Sequence, residues 1–402
     1  MTAAVSDAAQ VPLAMLCVFA SAKLVRELFE RMRQPGIIGE IAAGVLIGPH
    51  VLGWIRPGEV LSTLSELGVM FLLFRIGLEV NPKDLIRVGG TALTAATAGV
   101  IVPLLAGYGI ALAWGQPRLD AMFIGTSIVA TSVAITAEVL ASKGLLDARA
   151  SRTILAAAVI DDVLGLIVLA LVTGYAQGQM NWTELALTAG LAIGFTIFVT
   201  FWGQRTVHSL VPKMEAGLRA AEAQFSIAMA ILFGLSALAV YAGVAAIVGA
   251  FLGGMALSQT VGERVHTMTN GVSELLTPFF LVGIGMTLEP TVFKSAATLS
   301  LAGVLLVVAI LSKLVGCGLG AWRLGVKDAV RVGVGMAPRG EVGMVVAQIG
   351  RKLGVMPESV FAIVVFLSVA TTLVAPPMIR VAFRGALPQP SAAEPDEVAK
   401  IG

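Results

Sequence analysis

Two adjacent aspartates, Asp161 and Asp162, sit in the middle of the apolar run Ala156-Ala-Ala-Val-Ile-Asp-Asp-Val-Leu-Gly-Leu-Ile-Val-Leu-Ala170. The run otherwise reads as a membrane-spanning helix. A charged side chain at the centre of a bilayer costs roughly 3 kcal/mol on insertion scales, and more on an isolated helix. Two neighbouring carboxylates cost more again, because like charges oppose each other's ionisation. An intramembrane carboxylate pair is therefore read as a site for a cation or a proton.

The rest of the chain fits that frame. Hydrophobic residues make up 57% and charged residues 13% of the 402, which excludes a soluble globular protein and points to an all-α polytopic membrane protein. The 45 glycines suit helices packed closely together. Cys17 and Cys317 both lie in apolar runs and read as packing residues. His50, His208 and His266 have no metal-site spacing. The first apolar run carries Lys23, Arg26 and Glu27 and lacks a small-residue cleavage site, so no cleavable signal peptide is expected. There is no GxxxxGK[ST] loop, so an ion gradient rather than ATP is the expected energy source. Neither an enzymatic activity nor a cofactor, nucleotide or nucleic-acid partner is expected.

Hydropathy predicts thirteen spans, near 9–30, 37–54, 60–79, 88–113, 119–141, 150–175, 183–203, 220–241, 243–259, 268–288, 296–321, 328–350 and 356–379. Each is close to the ~20 residues that cross ~30 Å of hydrocarbon. Alternate loops are rich in Lys and Arg, among them Arg31 and Arg33, Lys143, Arg149 and Arg152, and Arg323, Lys327 and Arg331. The opposite loops hold only Arg56, Arg118, Lys294, Arg351 and Lys352. By the positive-inside rule the richer set is cytoplasmic, which puts the N-terminus outside and the C-terminus inside. Residues 385–402 read as a short cytoplasmic tail.

A weak internal repeat has a constant offset of 210 residues: Gly39, Gly44, Leu78, Glu79, Gly125, Ala137 and Gly144 match Gly249, Gly254, Leu288, Glu289, Gly335, Ala347 and Gly354. Spans one to six, about 9–175, then repeat as spans eight to thirteen, about 220–384, with 183–203 as a linker. Seven crossings separate partners, so the halves are inverted, an arrangement that places a transport site at their interface near the midplane. At this offset Thr131-Ser132 in span five corresponds to Glu341-Val342 in span twelve. Pro338 and Gly340 break span twelve, and Ala130-Thr131-Ser132 lies at the matching place in span five. Asp161 and Asp162 correspond to Thr371 and Thr372, so only one half carries the carboxylates.

Lys313 lies deep in span eleven and is expected to pair with Asp161 or Asp162. Such a pair holds one carboxylate charged and leaves the other to exchange protons; Lys313 is itself a candidate proton carrier. Arg339 and Glu341 flank the break in span twelve and read as structural, offsetting half-helix dipoles. Arg75 has Glu79 one helical turn away as a candidate i,i+4 partner. A hard cation such as sodium suits carboxylate, hydroxyl and carbonyl ligands.

The motifs Gln34-Pro-Gly-Ile-Ile-Gly-Glu40, Leu72-Leu-Phe74 with Gly77-Leu-Glu79, Ala130-Thr-Ser-Val-Ala-Ile-Thr136, Val159-Ile-Asp-Asp-Val-Leu-Gly-Leu166, Ser312-Lys313 and Met336-Ala-Pro-Arg-Gly-Glu-Val-Gly343 resemble those of the monovalent cation/proton antiporters, in the branch of bacterial NapA-type sodium/proton antiporters. The resemblance covers nearly the whole chain. It implies a core domain of helices, about 88–175 and 296–379, with two crossed, broken helices that moves like an elevator against a dimerisation domain formed by the other helices. It also implies a homodimer in a bacterial inner membrane. Carried over, Asp162 binds sodium (or lithium) and protons in alternation, Asp161 pairs with Lys313, Thr131 and Ser132 lie beside the ion, and Arg339 and Glu341 stabilise the core. The paired aspartates resemble the electrogenic branch. Arg75 departs from the family pattern. A potassium/proton antiporter is the alternative, and a sodium-coupled organic-anion symporter a more distant one.

Overall fold

The computed structural model describes residues 7–32, 34, 36–177, 182–200, 223–288, 295–339 and 341–385. They form α1 (Asp7–Arg31), α2 (Gly36–Ile47), α3 (Glu59–Glu79), α4 (Pro82–Ala113), α5 (Arg118–Ser127), α6 (Val133–Ala141), α7 (Arg149–Ala176), α8 (Trp182–Phe198), α9 (Ala223–Tyr241), α10 (Ala246–Leu257), α11 (Glu263–Met286), α12 (Ala296–Gly320), α13 (Val326–Gly335), α14 (Glu341–Lys352) and α15 (Glu358–Ala382). Within the described residues each predicted span overlaps one helix or, for spans five and twelve, a pair. Among the described residues six helices, including α7, α12 and α15, are long and apolar enough to cross a bilayer. Leu16, Leu24, Leu105, Leu187 and Leu319 are exposed on the outside of the bundle, as lipid-facing residues would be. The proposed tail lies outside the described residues from 386 onward.

Local chemistry sets several helix ends. Asn81 accepts a hydrogen bond from Lys83 N–H and Pro82 opens α4, a pairing that suits a helix start. Pro338, in the segment between α13 and α14, has no N–H to continue a helix. The predicted spans 37–54 and 243–259 are helical over only 12 residues each, about 18 Å, too short to cross the hydrocarbon alone. Hydropathy reports apolarity and not helix length, so the turn after Ile47, closed by Gly53 at φ +63°, was invisible to it.

These short helices are sites of close backbone approach. A Cβ on Gly44 of α2 would collide with the Val282 carbonyl of α11, and one on Gly254 of α10 with the Phe74 carbonyl of α3. Gly285 meets Ile41 and Gly77 meets Phe251 in the same fashion. The two sets of contacts are equivalents: α2 and α10 are related by 210 residues, whereas Phe74 and Gly77 are related to Val282 and Gly285 by 208. The offset of 208 also relates α5 to α13 at both ends and α6 to α14 at its start. Helix boundaries around the two breaks thus follow an offset of 208, at which Thr131 and Ser132 fall opposite Arg339 and Gly340 rather than Glu341 and Val342. A two-residue slip leaves little trace among so many glycines and alanines.

Packing falls into two groups of helices. One buried cluster draws on α4, α5, α7, α12, α14 and α15, with residues such as Phe123, Ile124, Leu305 and Leu367. Two others draw on α1, α2, α3, α9, α10 and α11, around Phe74, Leu232 and Phe279. A larger cluster joins the two groups through α2, α3, α6 and α7.

Candidate functional site

The two broken helices meet at their breaks. α5 stops at Ser127 and α6 starts at Val133; α13 stops at Gly335 and α14 starts at Glu341. Ser132 N–H donates to the Pro338 carbonyl at 2.9 Å, and Thr136 Oγ1 donates to the Gly335 carbonyl at 2.6 Å, at the end of α13. Each break leaves backbone carbonyls without helical partners, and buried carbonyls need donors. At the α5–α6 break two cations supply them.

Lys313 of α12 spends all three of its protons here. Its Nζ donates to Val129 O at 2.7 Å, to Gly99 O at 2.9 Å and to Asp161 Oδ1 at 2.7 Å. Both side chains of the Lys313–Asp161 pair are fully buried. Arg339 comes from the opposite break. Its Nη2 donates to Ala309 O at 2.6 Å, and its Nη1 lies 3.4 and 3.5 Å from Ala130 O and Val129 O. Its own backbone is clasped by α15: Arg339 N–H donates to Thr371 Oγ1 at 2.9 Å, and Thr372 Oγ1 donates to Arg339 O at 3.0 Å. Lys313 and Arg339 thus converge on the carbonyls just past the negative end of α5, where positive charge is favoured.

The sequence-derived residues largely come together. Asp162, also buried, follows Asp161 in α7 and is turned about 100° from it around the helix axis. Thr131 and Ser132 lie in the break between α5 and α6; both hydroxyls are buried with no hydrogen-bond partner among the described residues. The side chain of Glu341 lies outside the described residues. Arg75 requires a correction: its Nη2 donates to Glu138 Oε2 on α6 at 2.6 Å, across 63 residues of chain, rather than to Glu79 one turn away.

Sequence reasoning missed the role of Thr371 and Thr372. It set them opposite the aspartates only at the 210-residue offset; at the 208 offset that fits the breaks, Val369 and Ala370 take that place, and the available signal was two adjacent hydroxyls in an otherwise apolar run. The carbonyls of Gly99 and Val129 left no sequence trace, because any residue type supplies one.

This geometry can be set beside known proteins. The sequence model for the family described as "Sodium/hydrogen exchanger, transmembrane" matches residues 16–385. The chain belongs to the sodium/hydrogen exchanger family. It is 34% identical over 374 residues to the "Na(+)/H(+)-K(+) antiporter GerN" of Bacillus cereus, covering 91% of this chain and 94% of that one. It is 31% identical over 420 residues to the "High-affinity Na(+)/H(+) antiporter NhaS3" of Synechocystis sp., covering 94% and 91%. Its fold is similar to that of the sodium proton antiporter MjNhaP1 from Methanocaldococcus jannaschii, with a TM-score of 0.61, 18% identity, and coverage of 94% and 97%. It is a multi-pass membrane protein of this family.

Proposed function

We propose that this protein exchanges sodium or lithium for protons across a bacterial inner membrane, with more than one proton moved per cation. The observation that carries the reading is the buried carboxylate pair at the crossing of two broken helices, one member of which is held by Lys313 at 2.7 Å. Asp162 alternates between cation and proton, and Lys313 carries the second proton, pairing with Asp161 while it holds that proton and releasing it when the cation binds. A hard monovalent cation suits Asp162 together with the oxygens of Thr131 and Ser132. Arg339, and with it Glu341, holds the breaks in place. Family membership and the relatives' description as Na(+)/H(+) antiporters support cation/proton exchange.

In this account the helices α4–α7 and α12–α15 move as a core against α1–α3 and α8–α11, which also form the homodimer contact. The recurrence of helix boundaries and of the Gly44 and Gly254 contacts supports two inverted repeats, and the two sets of buried clusters support the division. The thirteen spans place the N-terminus outside and the C-terminus in the cytoplasm. Sodium and protons compete because the core reorients only when one of them neutralises the site.

Purified protein in liposomes loaded with a pH dye tests the reading. Addition of sodium or lithium to one side is expected to drive proton flux, with a weaker response to potassium. A larger response to potassium would select the potassium/proton alternative, which the name of the Bacillus cereus Na(+)/H(+)-K(+) antiporter supports. No response to any monovalent cation would contradict the proposal.

A further inference from the structure

Arg75 is a charged residue that the site leaves unused. It stands on α3, and α3 is pinned to its neighbours by backbone contact: a Cβ on Gly77 would collide with the Phe251 carbonyl of α10, and one on Gly68 would lie 2.5 Å from the Leu276 carbonyl of α11. Its partner Glu138 stands on α6, which is bonded to the other body through Ser132 N–H to Pro338 O and Thr136 Oγ1 to Gly335 O. The ion pair therefore bridges two bodies that are each tied together internally. The pairs Lys313–Asp161 and Arg26–Glu40, by contrast, each stay within one body.

The location adds a second observation. A cavity of about 420 Å³ lies between the bodies, with Arg26 and Glu30 of α1 on one side and Glu138, Lys143 and Arg380 on the other. Glu138 thus forms part of its wall while Arg75 holds its carboxylate. Their side chains are 18% and 14% exposed, so solvent and salt screen the pair less than an open surface bridge. Glu138 follows Ser132 by six residues, or about 9 Å along the axis of α6. Any shift of that half-helix relative to α3 has to pass through this contact.

We propose that Arg75–Glu138 is a latch that draws α6 toward α3, keeps the crevice narrow, and breaks whenever the core moves. The proposal rests on the elevator reading given above. The test needs no transport. Ser142, which also lines the crevice, is replaced by Cys, and labelling by a bulky maleimide is timed in purified, detergent-solubilised protein. The same protein with Ser142 intact sets the background from Cys17 and Cys317. Arg75→Gln and Glu138→Gln are each expected to raise the labelling rate at least fivefold. Arg75→Lys, and the reversed pair Arg75→Glu with Glu138→Arg, are expected to stay within twofold of the parent. Parent-like labelling in both neutralised variants would overturn the latch, as would a reversed pair that labels as fast as the single variants. Cation-driven flux measured on the same preparations separates the two ideas: absence of flux in the parent overturns the exchange reading, while the labelling result still decides the latch.

Discussion

Asp162→Asn is expected to reduce cation-driven proton flux to the level of protein-free liposomes while the protein still inserts and purifies as a folded species. Asparagine keeps the shape of the side chain, so packing in α7 is undisturbed. It can neither carry the negative charge that attracts a cation nor take up and release a proton. A site that is permanently neutral has no difference between its loaded forms, and without such a difference no ligand can couple to the core's reorientation. Stability should hold or rise slightly, since the substitution removes a buried ionisable group from a helix that crosses the bilayer. Flux assays and a thermal unfolding curve on the same preparation check both parts. Robust sodium-dependent proton flux from this variant would remove Asp162 from the carrier role.

Lys313→Ala is expected to be the most destabilising single change at the site, with a loss of about 3–5 kcal/mol, the range for breaking a buried ion pair from one side. The substitution strands three acceptors at once: Asp161 Oδ1, Gly99 O and Val129 O. A double variant, Asp161→Asn with Lys313→Met, should lose much less than the sum of its parts, because it removes both charges and fills the space left by the lysine. Thermal midpoints of the four proteins in the cycle give the coupling. The voltage dependence of exchange should also weaken, since without Lys313 the second proton has no carrier and one cation is exchanged for one proton. A Lys313→Ala protein with unchanged midpoint and unchanged voltage dependence would show that the pair holds neither structure nor charge balance.

Much of this was legible in the sequence for physical reasons that can be named. Carboxylates in an apolar run stand out because the membrane makes them expensive, and Pro338 and Gly340 mark a break because neither residue supports a helix. The choice between Asp161 and Asp162 as partner of Lys313 was not legible from the residues alone. Adjacent helical positions point about 100° apart, and only the packing of α12 and α7 against α4 decides which one meets the lysine. Arg75 shows the same limit from the other side. A local rule offered Glu79 at i,i+4, yet the helices bring Glu138 to it from 63 residues away. Such pairing depends on which helices are neighbours, and no spacing rule contains that.

The account's central claim is that cation and proton compete for Asp162. The most direct measurement is the apparent KM for sodium in liposomes at a series of pH values, with the maximal rate taken at saturating sodium. Competition predicts that KM rises as pH falls, approaching about tenfold per pH unit for one competing proton, while the maximal rate at saturating sodium stays level. A sodium KM that is constant across the same pH range, with only the maximal rate changing, would contradict it.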